Sequence, residues 1–344
     1  MDEVPTIRDH GGQLQAAAAM FGAPAEGWLD LSTGINPRPY PVPTLAPALW
    51  ARLPDADLFQ AARQAARACF GAPPGAGIAE AAGSQALIQA LPLLVARSSI
   101  AVVGFTYAEH ARCWRAAGHE VAEIGGLDEI GGHRVVVLAH PNNPDGRLYA
   151  PERLAALAKR MAAAGGLLVV DEAFADVVPG CSLAAHAGGP GLCLLRSFGK
   201  FFGLAGLRLG YLVAEPALAA AMEAHLGPWR VSGPALEIGR RAMGDEAWIA
   251  AARRTLAEAA ARLDQLLQDA GLRILGGTDL FRLAECADAE ALHAALARRG
   301  ILTRRFAARP RWLRVGLPAD ETAERRLANG LAAAVVEIRS IALG

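Results

Sequence analysis

Two of the 34 Lys+Arg residues are lysines, Lys159 and Lys200; everywhere else the chain uses arginine for positive charge. The difference is chemical. Arginine stays protonated in a protein, whereas a lysine amine can lose its proton, attack a carbonyl and form a Schiff base. Lys159 falls in the Ala-rich run Leu154-Ala-Ala-Leu-Ala-Lys-Arg-Met-Ala and reads as a solvated helix charge. Lys200 follows an apolar run and Ser197, and it precedes a glycine-rich segment carrying Arg208. That arrangement fits a Schiff-base lysine beside a phosphate-binding Ser/Arg pair. It also fits a lysine packed in an ordinary way at the entry of a helix.

The elements around these residues decide what they can meet. Ile100–Val103, Arg134–Leu138, Leu167–Val170, Leu192–Leu195 and Leu209–Val213 are short apolar runs that read as strands. Gln85–Ala96, Glu109–Ala117 and Pro151–Ala164 are Ala-rich amphipathic segments that read as helices between them. Nearly all-apolar strands separated by helices predict a largely parallel sheet covered on both faces, an α/β class. Ligands of such sheets sit at the carboxyl ends of the strands. Three consecutive strand ends carry Ala139-His-Pro-Asn-Asn-Pro-Asp-Gly, Asp171-Glu-Ala-Phe and Arg196-Ser-Phe-Gly-Lys, so an amide, a carboxylate and the lysine are expected along one edge. After Pro216 the pattern changes. A long helix over Glu246–Ala270, strands near Leu272, Leu280 and Trp312, and a helix over Ala287–Arg299 predict a smaller α+β domain. Prolines at 37, 39, 41, 43 and 47 make that stretch extended. The expected organisation is an N-terminal arm and linker over 1–45, a large domain over 46–220 and a small domain over 221–344.

A pyridoxal 5'-phosphate bound by Lys200 would need four further kinds of group. A carboxylate is needed at the pyridine nitrogen to keep it protonated. Asp171 is placed for this, and would otherwise be a strand-end cap. A donor is needed at the phenolic oxygen; Asn143 can supply one, although Asn and Pro favour turns without any function. Backbone N–H groups at a helix start are needed for the phosphate, and Gly83-Ser84-Gln85 stands before such a helix. The same triplet reads as an ordinary N-cap. An aromatic cover for the ring could be Tyr107, or Tyr107 could simply be packing.

Composition removes several other classes. At 344 residues, 53% hydrophobic and 20% charged, the chain is globular, and its formal net charge is zero. No basic stripe suggests nucleic acid and no polybasic anchor suggests a membrane surface. Cys69, Cys113, Cys181, Cys193 and Cys286 form no C-x-x-C pair and no zinc spacing, so no metal site is expected. With no apolar leader in the first ten residues, a cytoplasmic location is expected.

Taken in order, Gly-Ser-Gln, Thr-Tyr, Pro-Asn-Asn-Pro-x-Gly, Asp-Glu-Ala-Phe and Ser-x-x-Lys resemble the fold-type-I pyridoxal-phosphate superfamily, over about His10 to Pro318. The branch indicated contains the histidinol-phosphate aminotransferases and the threonine-phosphate decarboxylases of cobalamin biosynthesis. The resemblance implies a large domain with a mostly parallel sheet, a smaller α+β domain and a homodimer. It implies that Lys200 bonds to the cofactor, and that Gly83, Ser84, Gln85, Tyr107, Asn143, Asp171, Ser197 and Arg208 hold it. It places the substrate's α-carboxylate on Arg314, with Asn36 and Asn143 nearby. His10-Gly-Gly-Gln and Trp28-Leu-Asp-Leu-Ser-Thr-Gly-Ile-Asn-Pro are similar to the decarboxylase pattern, as is Phe174 where the aminotransferases usually carry Tyr. Glycine N–H groups can approach an anion closely. The substrate phosphate is therefore expected at His10, Gly11 and Gly12, with help from Arg304, unless the arm is only a terminal tail. Two departures are Leu53 in place of a tyrosine that reaches the phosphate across the dimer, and Phe105 in place of a proline. The expected activity is decarboxylation of O-phospho-L-threonine to (R)-1-aminopropan-2-ol phosphate. The alternatives are an aminotransferase of the histidinol-phosphate type and a non-catalytic ligand-binding module, which Lys200 and Asp171 together argue against.

Overall fold

The computed structural model describes residues 11–178 and 180–343. It packs as two units: Pro39–Ala252, and the residues up to Arg38 together with those from Arg253 onward.

The larger unit is built on a seven-stranded sheet in the order Gly77–Ala81, Gly210–Ala214, Leu192–Ser197, Leu167–Asp171, Val135–Ala139, Ser99–Val103, Glu120–Ile124. Gly210–Ala214 runs antiparallel to both of its neighbours, and the remaining pairs are parallel. The central strands are apolar throughout because both faces are covered. Leu87, Leu91, Trp114 and Met222 from three flanking helices close one face over Val102, Val137, Val169 and Leu195. The parallel register sets Ala139, Asp171 and Leu195 side by side at the carboxyl edge. The strands read from sequence recur within a residue or two, at Ser99–Val103, Val135–Ala139, Leu167–Asp171, Leu192–Ser197 and Gly210–Ala214. The edge strands Gly77–Ala81 and Glu120–Ile124 are additions. Their mixed small and charged residues give no continuous apolar run.

In the smaller unit a four-stranded antiparallel sheet runs Arg304–Arg305, Trp312–Gly316, Phe281–Glu285, Arg273–Thr278. Leu29–Asp30 adds a parallel pair with Ile301–Leu302. The helices Leu14–Phe21, Ala289–Ala297 and Glu321–Leu343 belong to this unit. Composition suggests divisions at 45/46 and 220/221, whereas packing divides the chain at 38/39 and 252/253. The helix Pro216–Leu226 lays Ala219 and Met222 on the large sheet's core, and Gly233–Met243 packs on the helix Ala56–Phe70. Among the described residues, no helix is long and apolar enough to cross a membrane. No group of three His, Cys, Asp or Glu side chains among them could hold a metal.

Candidate active site

Lys200 and Asp171 are delivered by adjacent strands of the larger unit. Asp171 ends the strand Leu167–Asp171, and its neighbour Leu192–Ser197 leads directly into the short helix Phe198–Phe201 that carries Lys200. Lys200 is half-buried, with Nζ 5.7 Å from the centre of the Phe174 ring. Lys159, by contrast, is exposed on the helix Pro151–Ala163. Asp171 is only 5% exposed. One carboxylate oxygen accepts the Ala173 N–H at 3.0 Å, and the other lies 2.9 Å from His110 Nε2. His110 was not singled out in the sequence. It stands three residues after Tyr107, whose ring meets it edge-on at 6.0 Å. That spacing is the only local signal, because the contact with Asp171 spans 61 residues. Asn143 is half-buried in the turn after Val135–Ala139. Its neighbour Asn142 is committed to the turn itself, donating to the Phe105 carbonyl at 3.0 Å and to Asp145 at 2.7 Å.

A second cluster forms at the start of the helix Ser84–Leu94. Gly83 caps it with φ +85°, a left-handed conformation that favours glycine. A Cβ on Gly83 would stand 2.5 Å from Arg208 Nη2, so the guanidinium lies directly against this backbone. A Cβ on Gly210 would stand 2.4 Å from the Ser84 nitrogen, and Ser197 faces Gly210 across the ladder. A helix N-terminus, an arginine and a serine hydroxyl therefore converge, which is the composition of an anion cradle. The Gln85 side chain does something else: it accepts from Tyr107 OH at 3.1 Å and donates to Glu109 at 3.0 Å, fixing Tyr107.

Glu172, next to Asp171, has no share in this chemistry. It is fully buried and accepts from Arg196 Nη1, Ser182 Oγ and the Leu183 N–H, each at 2.7 Å. Arg196 also pairs with Asp176 and stacks on Phe70 at 4.3 Å. This is a buried structural network in which one guanidinium serves two carboxylates.

The expected substrate residues lie in the smaller unit. Arg314 is buried on the strand Trp312–Gly316, directly opposite Arg304 on the next strand. Its Nη2 donates to the Ser32 carbonyl at 2.7 Å, and its guanidinium lies 5.1 Å over the Phe281 ring. Burial first, and the Arg304 charge second, pull the Arg314 pKa well below the ordinary arginine value, while Asp30 opposes them. Cross-strand like charges are unfavourable, and an anion between them would relieve both effects. Asn36 is buried and accepts the Arg38 N–H at 2.8 Å. The Gly12 N–H donates to Ser32 Oγ at 2.8 Å, so this amide docks the arm. Gly11 lies beside it, and His10 falls outside the described residues.

The model of the family "Aminotransferase class I and II" matches residues 44–329. The chain belongs to this family. A threonine-phosphate decarboxylase from a Sinorhizobium species is 48% identical over 94% of the chain and 97% of its own length. Another, from Pseudomonas aeruginosa, is 45% identical over 93% and 96%. Among solved structures, a histidinol-phosphate aminotransferase from Clostridium acetobutylicum superposes with a TM-score of 0.79 at 21% identity, covering 90% of the chain and 99% of that structure. At that identity the superposition shows the shared fold of the class I and II aminotransferases.

The residues on the larger unit's carboxyl edge fit pyridoxal phosphate. Three polar parts of that cofactor have a matching group: the amine of Lys200 for its aldehyde, the buried carboxylate of Asp171 for its ring nitrogen, and the cradle of Gly83, Ser84, Ser197 and Arg208 for its phosphate. The parts of the cradle are packed close together, since a Cβ at Gly83 would collide with Arg208 and one at Gly210 with the Ser84 nitrogen.

Proposed function

We propose that the protein is a pyridoxal-phosphate-dependent carboxy-lyase that converts O-phospho-L-threonine to (R)-1-aminopropan-2-ol phosphate and CO2, the step that supplies the amino alcohol of the cobalamin side chain. The observation that carries this reading is near full-length agreement, at 45–48% identity, with relatives named threonine-phosphate decarboxylase. It gains weight because the chain also keeps Lys200 and Asp171 on neighbouring strand ends.

Bound pyridoxal phosphate would supply an electron sink for the pair left when a bond at Cα breaks. The chain's own residues do the rest. Lys200 would hold the cofactor and, as a free amine, would carry a proton to the substrate Cα after CO2 has left. Asp171 would keep a proton at the ring nitrogen, and His110, 2.9 Å away, fixes the orientation of that carboxylate. Gly83, Ser84, Ser197 and Arg208 would bind the cofactor phosphate; Gln85 would act through Tyr107, which it holds in place. Asn143 donates to the phenolic oxygen. Phe174 has no hydroxyl with which to share that task. In the smaller unit Arg314 takes the substrate α-carboxylate as a planar fork. Asn36 supports that region, and Arg304 with His10 and Gly11 serves the substrate phosphate, while the Gly12 N–H stays with Ser32 Oγ.

The same reading makes the enzyme a cytoplasmic homodimer. Trp50, Leu53 and Trp229 of the larger unit are 68%, 64% and 55% exposed, and a face shared between two copies would cover such side chains. Sedimentation of the purified protein checks the dimer. The substrate assignment is checked by comparing kcat/KM for O-phospho-L-threonine decarboxylation with that for amino transfer from histidinol phosphate. Decarboxylation is expected to be faster by orders of magnitude; the reverse ranking contradicts the assignment.

A further inference from the structure

Three connections in the smaller unit meet at one buried serine. Ser32 Oγ donates to Asp30 Oδ1 at 2.5 Å and accepts the Gly12 N–H at 2.8 Å. The Ser32 N–H reaches the same Asp30 oxygen at 2.9 Å. The Ser32 carbonyl accepts from Arg314 Nη2 at 2.7 Å. Gly11 presses on that same carbonyl: a Cβ there would stand 2.4 Å from the oxygen and 2.9 Å from its carbon. Asp30 is itself anchored, lying opposite Leu302 in a strand pair.

A hydroxyl has one proton to give. Here it goes to Asp30, leaving a lone pair for the Gly12 amide. Ser32 is thus held by Asp30 on one side and by the arm on the other, and the direction of its carbonyl follows from both. That carbonyl fixes one Nη of Arg314. A bidentate grip on a carboxylate requires the guanidinium plane to be set, because the geometry of the fork is rigid. A side chain that must order itself on binding loses part of the affinity.

We propose that Ser32 is a positioning residue that couples docking of the N-terminal arm to the orientation of Arg314, so that an α-carboxylate is gripped tightly only while Gly11 and Gly12 are docked. The proposal rests on the reading of Arg314 as the carboxylate ligand. It gives the arm a task separate from binding the substrate phosphate.

Three ligands separate these roles: O-phospho-L-threonine, which carries both groups; L-threonine, which carries only the carboxylate; and 1-aminopropan-2-ol phosphate, which carries only the phosphate. Their affinities are measured on the holoenzyme by spectral titration and calorimetry for Ser32→Ala, Gly11→Ala and Arg314→Ala. Ser32→Ala removes one oxygen, and Gly11→Ala drives a methyl into the Ser32 carbonyl. Both are expected to weaken the two carboxylate ligands about tenfold, the size of one lost charge-assisted contact. The amino-alcohol phosphate, which has no carboxylate to grip, should lose distinctly less, and KM should rise more than kcat falls. Cofactor content and far-UV dichroism identify any variant that has not folded, and Ser32→Ala is the milder of the two. Unchanged binding of L-threonine in Ser32→Ala, or equal losses for all three ligands, overturns the coupling. If Arg314→Ala fails to discriminate L-threonine from the amino-alcohol phosphate, the carboxylate reading of Arg314 falls and the coupling falls with it. If Arg314→Ala discriminates and Ser32→Ala does not, only the coupling is lost.

Discussion

The two units treat buried charge in opposite ways. In the larger unit each buried carboxylate near the sheet edge has its counterpart within the protein. Asp171 meets His110, and Glu172 and Asp176 meet Arg196. In the smaller unit two arginines, Arg304 and Arg314, face each other across a strand pair, and burial disfavours the charged form of Arg314. The first region is finished before any ligand arrives, as a permanent cofactor requires. On the proposed reading an arriving anion would improve the second, as a substrate that must come and go requires.

That contrast predicts different consequences for mutations in the two regions. The largest effect is expected at Lys200. Lys200→Ala should lower turnover by roughly 10³-fold or more, because both covalent attachment and proton delivery are lost. Borohydride treatment of the native protein should fix the cofactor to the peptide containing Lys200; a label on Lys159 would be incompatible with the site. Next comes Asp171→Asn, which keeps shape but removes charge. A fall in kcat of about 10²-fold is expected, with His110→Gln causing a smaller fall in the same direction, since it acts only through Asp171. Equal rates for Asp171→Asn and wild type would reduce that residue to a turn cap. In the smaller unit, Arg314→Ala should cost about tenfold to a hundredfold in affinity for both phosphothreonine and threonine, with cofactor content unchanged. Loss of cofactor in that variant would break the division of labour. The smallest catalytic effect is expected at Glu172. Glu172→Gln opens the buried network around Arg196 and should lower stability by about 3–5 kcal/mol in denaturant titration. At temperatures where the variant stays folded, its turnover should be close to wild type.

Much of the cofactor edge was legible from the sequence because its signals are local. An apolar run, a strand end and a residue of the right chemistry follow one another at Asp171, at Asn143 and at Ser197 to Lys200. Gly83 was legible because Gly83-Ser84-Gln85 stands before a helix start, where backbone N–H groups can meet a phosphate. His110 and Ser32 were not, because their partners are distant. His110 meets Asp171 across 61 residues, and Ser32 joins Gly12 to Arg314 across 20 and 282. The divisions at 38/39 and 252/253 are equally beyond composition. The helices from 216 to 243 have the same Ala-rich character whichever sheet they cover, and only their packing assigns them to the larger unit.

The fate of the substrate carboxylate tests the functional reading most directly. Holoenzyme is incubated with O-phospho-L-threonine carrying ¹³C in its carboxyl group, with and without a keto-acid acceptor. Decarboxylation predicts that the label leaves as CO2, in a one-to-one ratio with 1-aminopropan-2-ol phosphate and independently of the acceptor. Label retained in a phosphorylated keto acid, formed only when the acceptor is present, would contradict it.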